Sequence, residues 1–135
     1  MVNTYPSTPR DKDAMRLLLY TPVSGEFVEQ LQQEIKEFIS HNEVEVYRNL
    51  QSLSHRLRQR ADDLLIAVLH AARREDLSDI LSIRDLLRDI RIILVLPDRD
   101  ESTIAKGHTL RPRFLSYSDS DFTDIFSVLK KCLAS

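Results

Sequence analysis

The sequence predicts an α/β protein: a three-layer (βα)5 domain built on a parallel five-stranded sheet in the order 2-1-3-4-5. Three observations predict it. Short apolar runs alternate with stretches of helical spacing five times along the chain. Three of those runs are apolar without interruption, as strands covered on both faces are, and two are mixed. The chain has 135 residues, which suits one domain around one core.

Residues 1–13 are polar and hold Pro6 and Pro9, so they are expected to form a disordered tail ahead of a single domain over 14–135. The first strand is expected over 16–20 and the first helix over 25–39. That helix carries Phe27, Val28, Leu31, Ile35, Phe38 and Ile39 at helical spacing, with Ser24 as its N-cap. The second strand, 43–47, alternates polar and apolar residues. A short helix follows with Leu50, Leu53 and Leu57 on one face. The third strand, 64–69, is apolar throughout. A helix over 76–89 places Leu77, Ile80, Leu81, Arg84 and Leu87 in register. Ile83 and Leu86 widen its apolar stripe and suggest a self-association surface. The fourth strand, 92–96, is apolar and stops at Pro97. A weak helix over 101–106 is expected to end at Gly107. The fifth strand is 113–117. The last helix starts near Ser120 and buries Phe122, Ile125, Phe126, Leu129 and Leu133.

Strand character sets the order. Strands one, three and four belong inside the sheet. Strand two has two glutamates and belongs at an edge, with strand five at the other. The alternative order 3-2-1-4-5 would leave the very apolar third strand at an edge.

Composition narrows the function. Hydrophobic residues make up 42% and charged residues 30% of the chain, with a net charge of −2 and a pI of about 6.1. There is no basic footprint for nucleic acid and no polybasic membrane patch. No apolar run approaches the roughly 18 residues of a membrane span, and the start has no apolar signal core. The single cysteine, Cys132, forms no internal disulfide and reads as a packing residue. A cytoplasmic protein is expected. His41, His55, His70 and His108 do not pair at ligand spacing, so no metal site is expected.

In an open sheet of this order, ligands bind beyond the carboxyl ends of the strands, at the switch point between strands one and three. The loops there are Thr21-Pro22-Val23-Ser24-Gly25 and His70-Ala71-Ala72-Arg73-Arg74, with Pro97-Asp98-Arg99-Asp100 alongside. Thr21, Ser24, His70 and Arg73 are the candidate ligand-binding residues, suited to a small anion at a helix N-terminus.

Element order, lengths and strand patterning over about residues 15–133 resemble the receiver domain of two-component signalling. Receivers need two acids after strand one, a phosphoacceptor aspartate on strand three, a hydroxyl ending strand four and a lysine ending strand five. Here those positions fall at Thr21 and Pro22, at Val68 (counting from Asp63), at Leu96 or Pro97, and at Tyr117. The chain therefore resembles a degenerate receiver, a pseudo-receiver. The resemblance implies a non-catalytic signalling or protein-interaction domain that acts without aspartyl phosphorylation, with a protein partner and no cofactor.

In receivers the partner docks along helix four, strand five and helix five. The matching residues here are His108, Arg111, Arg113, Phe114 and Tyr117, with Phe114 near the receiver's switchable aromatic. A homodimer is a further expectation. The loop YTPVSGEF (20–27) also resembles the phosphate loop of flavodoxins in Tyr20, Ser24 and Gly25. It departs at Pro22, which lacks an amide donor, and at Phe27, where a hydroxyl is needed. With no tryptophan and no aromatic in the loops after strands three and four, FMN binding is not expected. A flavodoxin-like small-molecule or anion binder, or an enzyme, working through the switch-point loops is the alternative.

Overall fold

The computed structural model describes residues 15–23, 25–38, 44–59, 64–119 and 123–134. Five parallel strands, β1 (Met15–Tyr20), β2 (Val44–Tyr47), β3 (Leu64–His70), β4 (Arg91–Leu96) and β5 (Phe114–Tyr117), form one sheet in the order β2-β1-β3-β4-β5. Five α-helices connect and flank them: α1 (Glu26–Phe38), α2 (Leu50–Arg58), α3 (Arg74–Leu81), α4 (Glu101–His108) and α5 (Thr123–Ala134). The expected fold class and strand order are both found. The expected tail, 1–13, lies outside the described residues, as do Ser24, Asp63 and Phe122.

The strand residues divide by parity between two cores, because successive side chains point to opposite faces. Leu18 and Tyr20, Ala67 and Leu69, and Ile92, Leu94 and Leu96 meet Leu53 and Leu57 of α2 and Leu77 and Ile80 of α3. Leu17 and Leu19, Ile66 and Val68, and Ile93 and Val95 meet Leu31 and Ile35 of α1 and Ile125 and Leu129 of α5. Right-handed crossovers dictate this split. The chain moves one way from β1 to β2 and the other way from β2 through β3 and β4 to β5, so α1 falls on the face opposite α2, α3 and α4.

At the β2 edge, Glu45 faces α2. It accepts from Tyr47 Oη at 2.7 Å and from Arg56 Nε at 2.7 Å, with Arg16 Nη1 at 3.5 Å. Burial pushes the Glu45 carboxyl upward. The bonds and charges of Arg56, Tyr47 and Arg16 outweigh it and hold the group below the usual carboxylate range. The same environment pushes the Tyr47 phenol up to about 12, by burial first and then by the Glu45 carboxylate.

Three local expectations need correction. The helix expected over 76–89 is α3, Arg74–Leu81, followed by a separate 3-10 turn, Arg84–Leu87. The break turns Ile83 and Leu86 toward the core, where Ile83 is buried and Leu86 packs against the α2/α3 cluster. The widened stripe is therefore core, not an outward face. Gly107 does not end the fourth helix but lies inside it, because α4 presses against the sheet there. A Cβ at Gly107 would lie 3.1 Å from Leu94 Cδ2 and 3.3 Å from Leu96 Cδ2. At the first helix, Gly25 is the residue before the first helical turn. Its φ is 149°, and its carbonyl accepts from Glu29 N at 3.0 Å.

The close approach at Gly107 yields a test. A valine there must displace Leu94 and Leu96, and overpacking of this kind costs about 2 kcal/mol. Gly107→Val is expected to lower unfolding stability by that amount, read by chemical denaturation at constant m-value. Unchanged stability would mean that α4 does not press on the sheet at this point.

Candidate functional site

Backbone bonds extend the sheet ladder one residue past the strands at its carboxyl end. Thr21 N donates to Tyr47 O at 3.0 Å, Ala71 N to Val95 O at 2.9 Å, and Ser118 N to Leu96 O at 3.0 Å. This fixes the residues at the strand ends, and three of them form a polar chain across the sheet. Thr21 Oγ1 lies 3.1 Å from His70 Nδ1. His70 Nε2 lies 3.2 Å from Ser118 Oγ. Two carbonyls terminate the chain, Val23 O at 3.2 Å from Thr21 Oγ1 and Leu96 O at 3.4 Å from Ser118 Oγ. Thr21 and His70 are 0% and 3% exposed and Ser118 is half-buried, so the chain runs from the interior toward the surface.

A neutral imidazole has one donor and one acceptor nitrogen, and each hydroxyl has one proton to give. Two arrangements therefore satisfy the ring. In one, Nδ1–H donates to Thr21, Thr21 donates to Val23 O, and Ser118 donates to Nε2. In the other, Thr21 donates to Nδ1, Nε2–H donates to Ser118, and Ser118 donates to Leu96 O. Burial pushes the His70 pKa down from 6.5 to about 4, against the opposing charge of Asp76, so the ring is neutral at pH 7.

Ion pairs tie the loops above this chain together. Asp76, 2% exposed, accepts from Arg73 N at 2.9 Å and from Arg73 Nη2 at 3.4 Å, which holds the start of α3. Arg74 Nε donates to Asp98 at 2.9 Å and so joins α3 to the β4–α4 loop. The Arg74 bond holds the Asp98 carboxyl below its ordinary range. Arg99 Nη1 donates to both oxygens of Asp119, at 2.9 and 2.7 Å, and its guanidinium lies 4.2 Å from the Tyr117 ring centre. Asp98 and Asp100 both serve as partners of Arg74, at 2.9 and 3.7 Å.

Of the four switch-point candidates, the structure joins Thr21 and His70. Arg73 stands on the rim, 65% exposed, with its guanidinium turned to Asp76. Ser24 lies outside the described residues. Sequence reasoning missed Ser118. It follows Tyr117, the position matched to the receiver lysine, and the only signal for it was a hydroxyl one residue past a strand end. Val68 is two residues short of the end of β3 and wholly buried, so the strand-end position on β3 belongs to His70.

The five partner-surface candidates do not form one patch. His108, Arg111 and Arg113 are exposed at the amino end of β5. Phe114 packs on the α1/α5 face and Tyr117 on the α2/α3 face. Among the described residues no group of three or more His, Cys, Asp or Glu side chains could hold a metal ion, and no helix is long and apolar enough to cross a membrane. The Cys132 side chain lies outside what is described. Comparison with protein-family models, with curated proteins and with solved structures finds no match.

The buried imidazole carries a pH signature. Its folded pKa is about 4 and its unfolded value 6.5, so the unfolded chain binds the extra proton between those values. The His70 contribution is intact above pH 6.5 and is lost progressively as pH falls toward 4. It amounts to about 3 kcal/mol if the shift is fully expressed. His70→Asn is expected to flatten the stability difference between pH 6.5 and 4, measured by denaturation at each pH. An unchanged slope would mean that His70 titrates normally.

Proposed function

We propose that this chain is a non-catalytic, receiver-like interaction domain that works without aspartyl phosphorylation. The observation that carries the reading is the neutral Thr21–His70–Ser118 chain, with Thr21 and His70 buried and Ser118 half-buried. It occupies the strand ends where a receiver needs carboxylates, a hydroxyl and a lysine around an open, metal-binding pocket. A hydroxyl against an imidazole at 3.1 Å has the spacing of a nucleophile and its base. Here both groups are buried, which speaks for a packing role over a nucleophilic one. The alternative, a small-molecule or anion site built from Thr21, Ser24, His70 and Arg73, draws support from the Thr21–His70 contact alone. Arg73, the one cation of that set, is engaged with Asp76.

The expected partner is a protein, and the surfaces left to bind it are the outward ones. One is a groove of about 530 Å³ beside the β2 edge, where Tyr47, Asn49, His55 and Arg56 present polar groups. The other is the cationic connector after α4. The proposal is tested with acetyl phosphate and Mg²⁺. The intact mass should not gain a phosphoryl group, and retention of a partner from the native cell should be the same with and without the phosphodonor. Stoichiometric phosphorylation would overturn the proposal.

A further inference from the structure

The chain as a whole is acidic, with a net charge of −2, yet one groove reverses the sign. It lies at the amino end of the sheet, opposite the Thr21–His70–Ser118 chain, where the 3-10 turn before β4 faces the connector between α4 and β5. Its volume is about 330 Å³, within the range of small-ligand sites. Arg84, Arg88 and Arg111 line it, and Asp85 is the one acid among its lining residues. Asp85 pairs with Arg88 at 3.4 Å, and all four side chains are exposed. Among the described residues Arg84 and Arg111 have no ion-pair partner.

The backbone at this groove is unusual in a second, independent way. Arg111 has a φ of 53°, in the left-handed region that a glycine or asparagine normally occupies after a helix. Its backbone N–H donates to His108 O at 2.9 Å as α4 unwinds. An arginine held in that conformation keeps its guanidinium beside Arg84 and Arg88 at a conformational cost that glycine would not incur. Non-glycine residues in this region concentrate at binding sites.

We propose that this groove binds the phosphoryl group of a small phosphorylated molecule. The charge match selects that class. The described lining carries a net +2, which the roughly two negative charges of a phosphate monoester balance and a single carboxylate does not. Guanidinium forks also fit the several acceptor oxygens of a phosphoryl group better than they fit a halide or a single oxygen. The groove shares no residue with the switch point, so this inference is independent of the reading given to that end; it shares Arg111 with the connector named above as a docking surface, which a phosphoryl ligand would occupy in place of a protein.

The test is a titration of the ¹⁵N-labelled chain with sodium pyrophosphate at low ionic strength and pH 7. Saturable shifts are expected at the amides of residues 84–88 and 109–111, and they should weaken with added salt. Arg111→Gly removes the guanidinium but suits the backbone, so the melting temperature should hold or rise while affinity falls about five-fold or more. Arg84→Gln should weaken binding comparably, and Arg58→Gln on α2 should leave it unchanged.

Three results would overturn the proposal. One is no saturation by about 10 mM, a concentration at which even a weak specific site fills. Another is shifts spread evenly over all surface cations or unaffected by Arg111→Gly and Arg84→Gln. The third is an acidic peptide that occupies the groove when pyrophosphate does not.

Discussion

Burial of β1, β3 and β4 on both faces is the constraint on which the rest of the structure depends. From Leu17 to Leu19, Ile66 to Leu69 and Ile92 to Leu96, nearly every side chain is shielded from water. Neither face of such a strand can carry an unpaired polar group without a desolvation cost. The apolar runs therefore fix three things at once. They place these strands inside the sheet, they require helices on both faces, and they confine polar chemistry to the ends of the strands and to the edges. The β2 edge shows the last effect. Val44 and Val46 pack toward the α1/α5 core, while Glu45 and Tyr47 turn to the other face and meet Arg56 and Arg16. A glutamate is tolerated there because two guanidiniums and a phenol surround it at a site that is only half-buried.

At the carboxyl end the same constraint yields a closed arrangement. His70 ends a strand of otherwise apolar residues and points its ring into the protein, so both nitrogens need partners. Thr21 on one side and Ser118 on the other supply them: Thr21 follows Tyr20, which is level with Leu69, and Ser118 lies two residues beyond Ser116, the β5 residue level with His70. The hydroxyls suit this role better than carboxylates would. A carboxylate beside the ring would favour the imidazolium and bury a charge pair, whereas a hydroxyl donates or accepts as the tautomer requires. The rim repeats the theme with charges, since Arg74–Asp98 and Arg99–Asp119 link loops that would otherwise move separately. This end of the sheet is made of groups that satisfy one another.

Much of the fold was legible because it rests on periodicity and on burial. Five strands and five helices were expected near where they lie, and the order followed from which strands lacked polar residues. What the sequence did not reveal depended on tertiary contact. The run from Leu77 to Leu87 keeps helical spacing, yet the helix stops at Leu81 and resumes as a 3-10 turn, so Ile83 and Leu86 face the core. Gly107 reads locally as a helix terminator, but its lack of a Cβ is used for contact with Leu94 and Leu96. Phe114 and Tyr117 are three residues apart on one strand, so they point to opposite faces and cannot share a docking surface. Two of the three residues of the candidate site were readable, since strand ends at a switch point draw attention to Thr21 and His70. Ser118 was not, because nothing in a lone serine after a strand tells which neighbour it faces.

The two ends of the sheet handle polar groups in opposite ways, and the contrast bears on where this chain meets other molecules. At the carboxyl end the arginines of the β3–α3 and β4–α4 connections have acid partners: Arg73 with Asp76, Arg74 with Asp98, Arg99 with Asp119. At the amino end Arg84 and Arg111 have none among the described residues, in a chain that has more acids than lysines and arginines to offer. Exposed pairs contribute little to stability, so their absence at one end costs the fold almost nothing. Arg111 adds a cost that packing does not require, because the connector would turn as readily on a glycine. The contrast is one of partnering: among the described residues the arginines of α3 and the β4–α4 loop are matched to acids, whereas Arg84 and Arg111 at the amino ends of β4 and β5 are not.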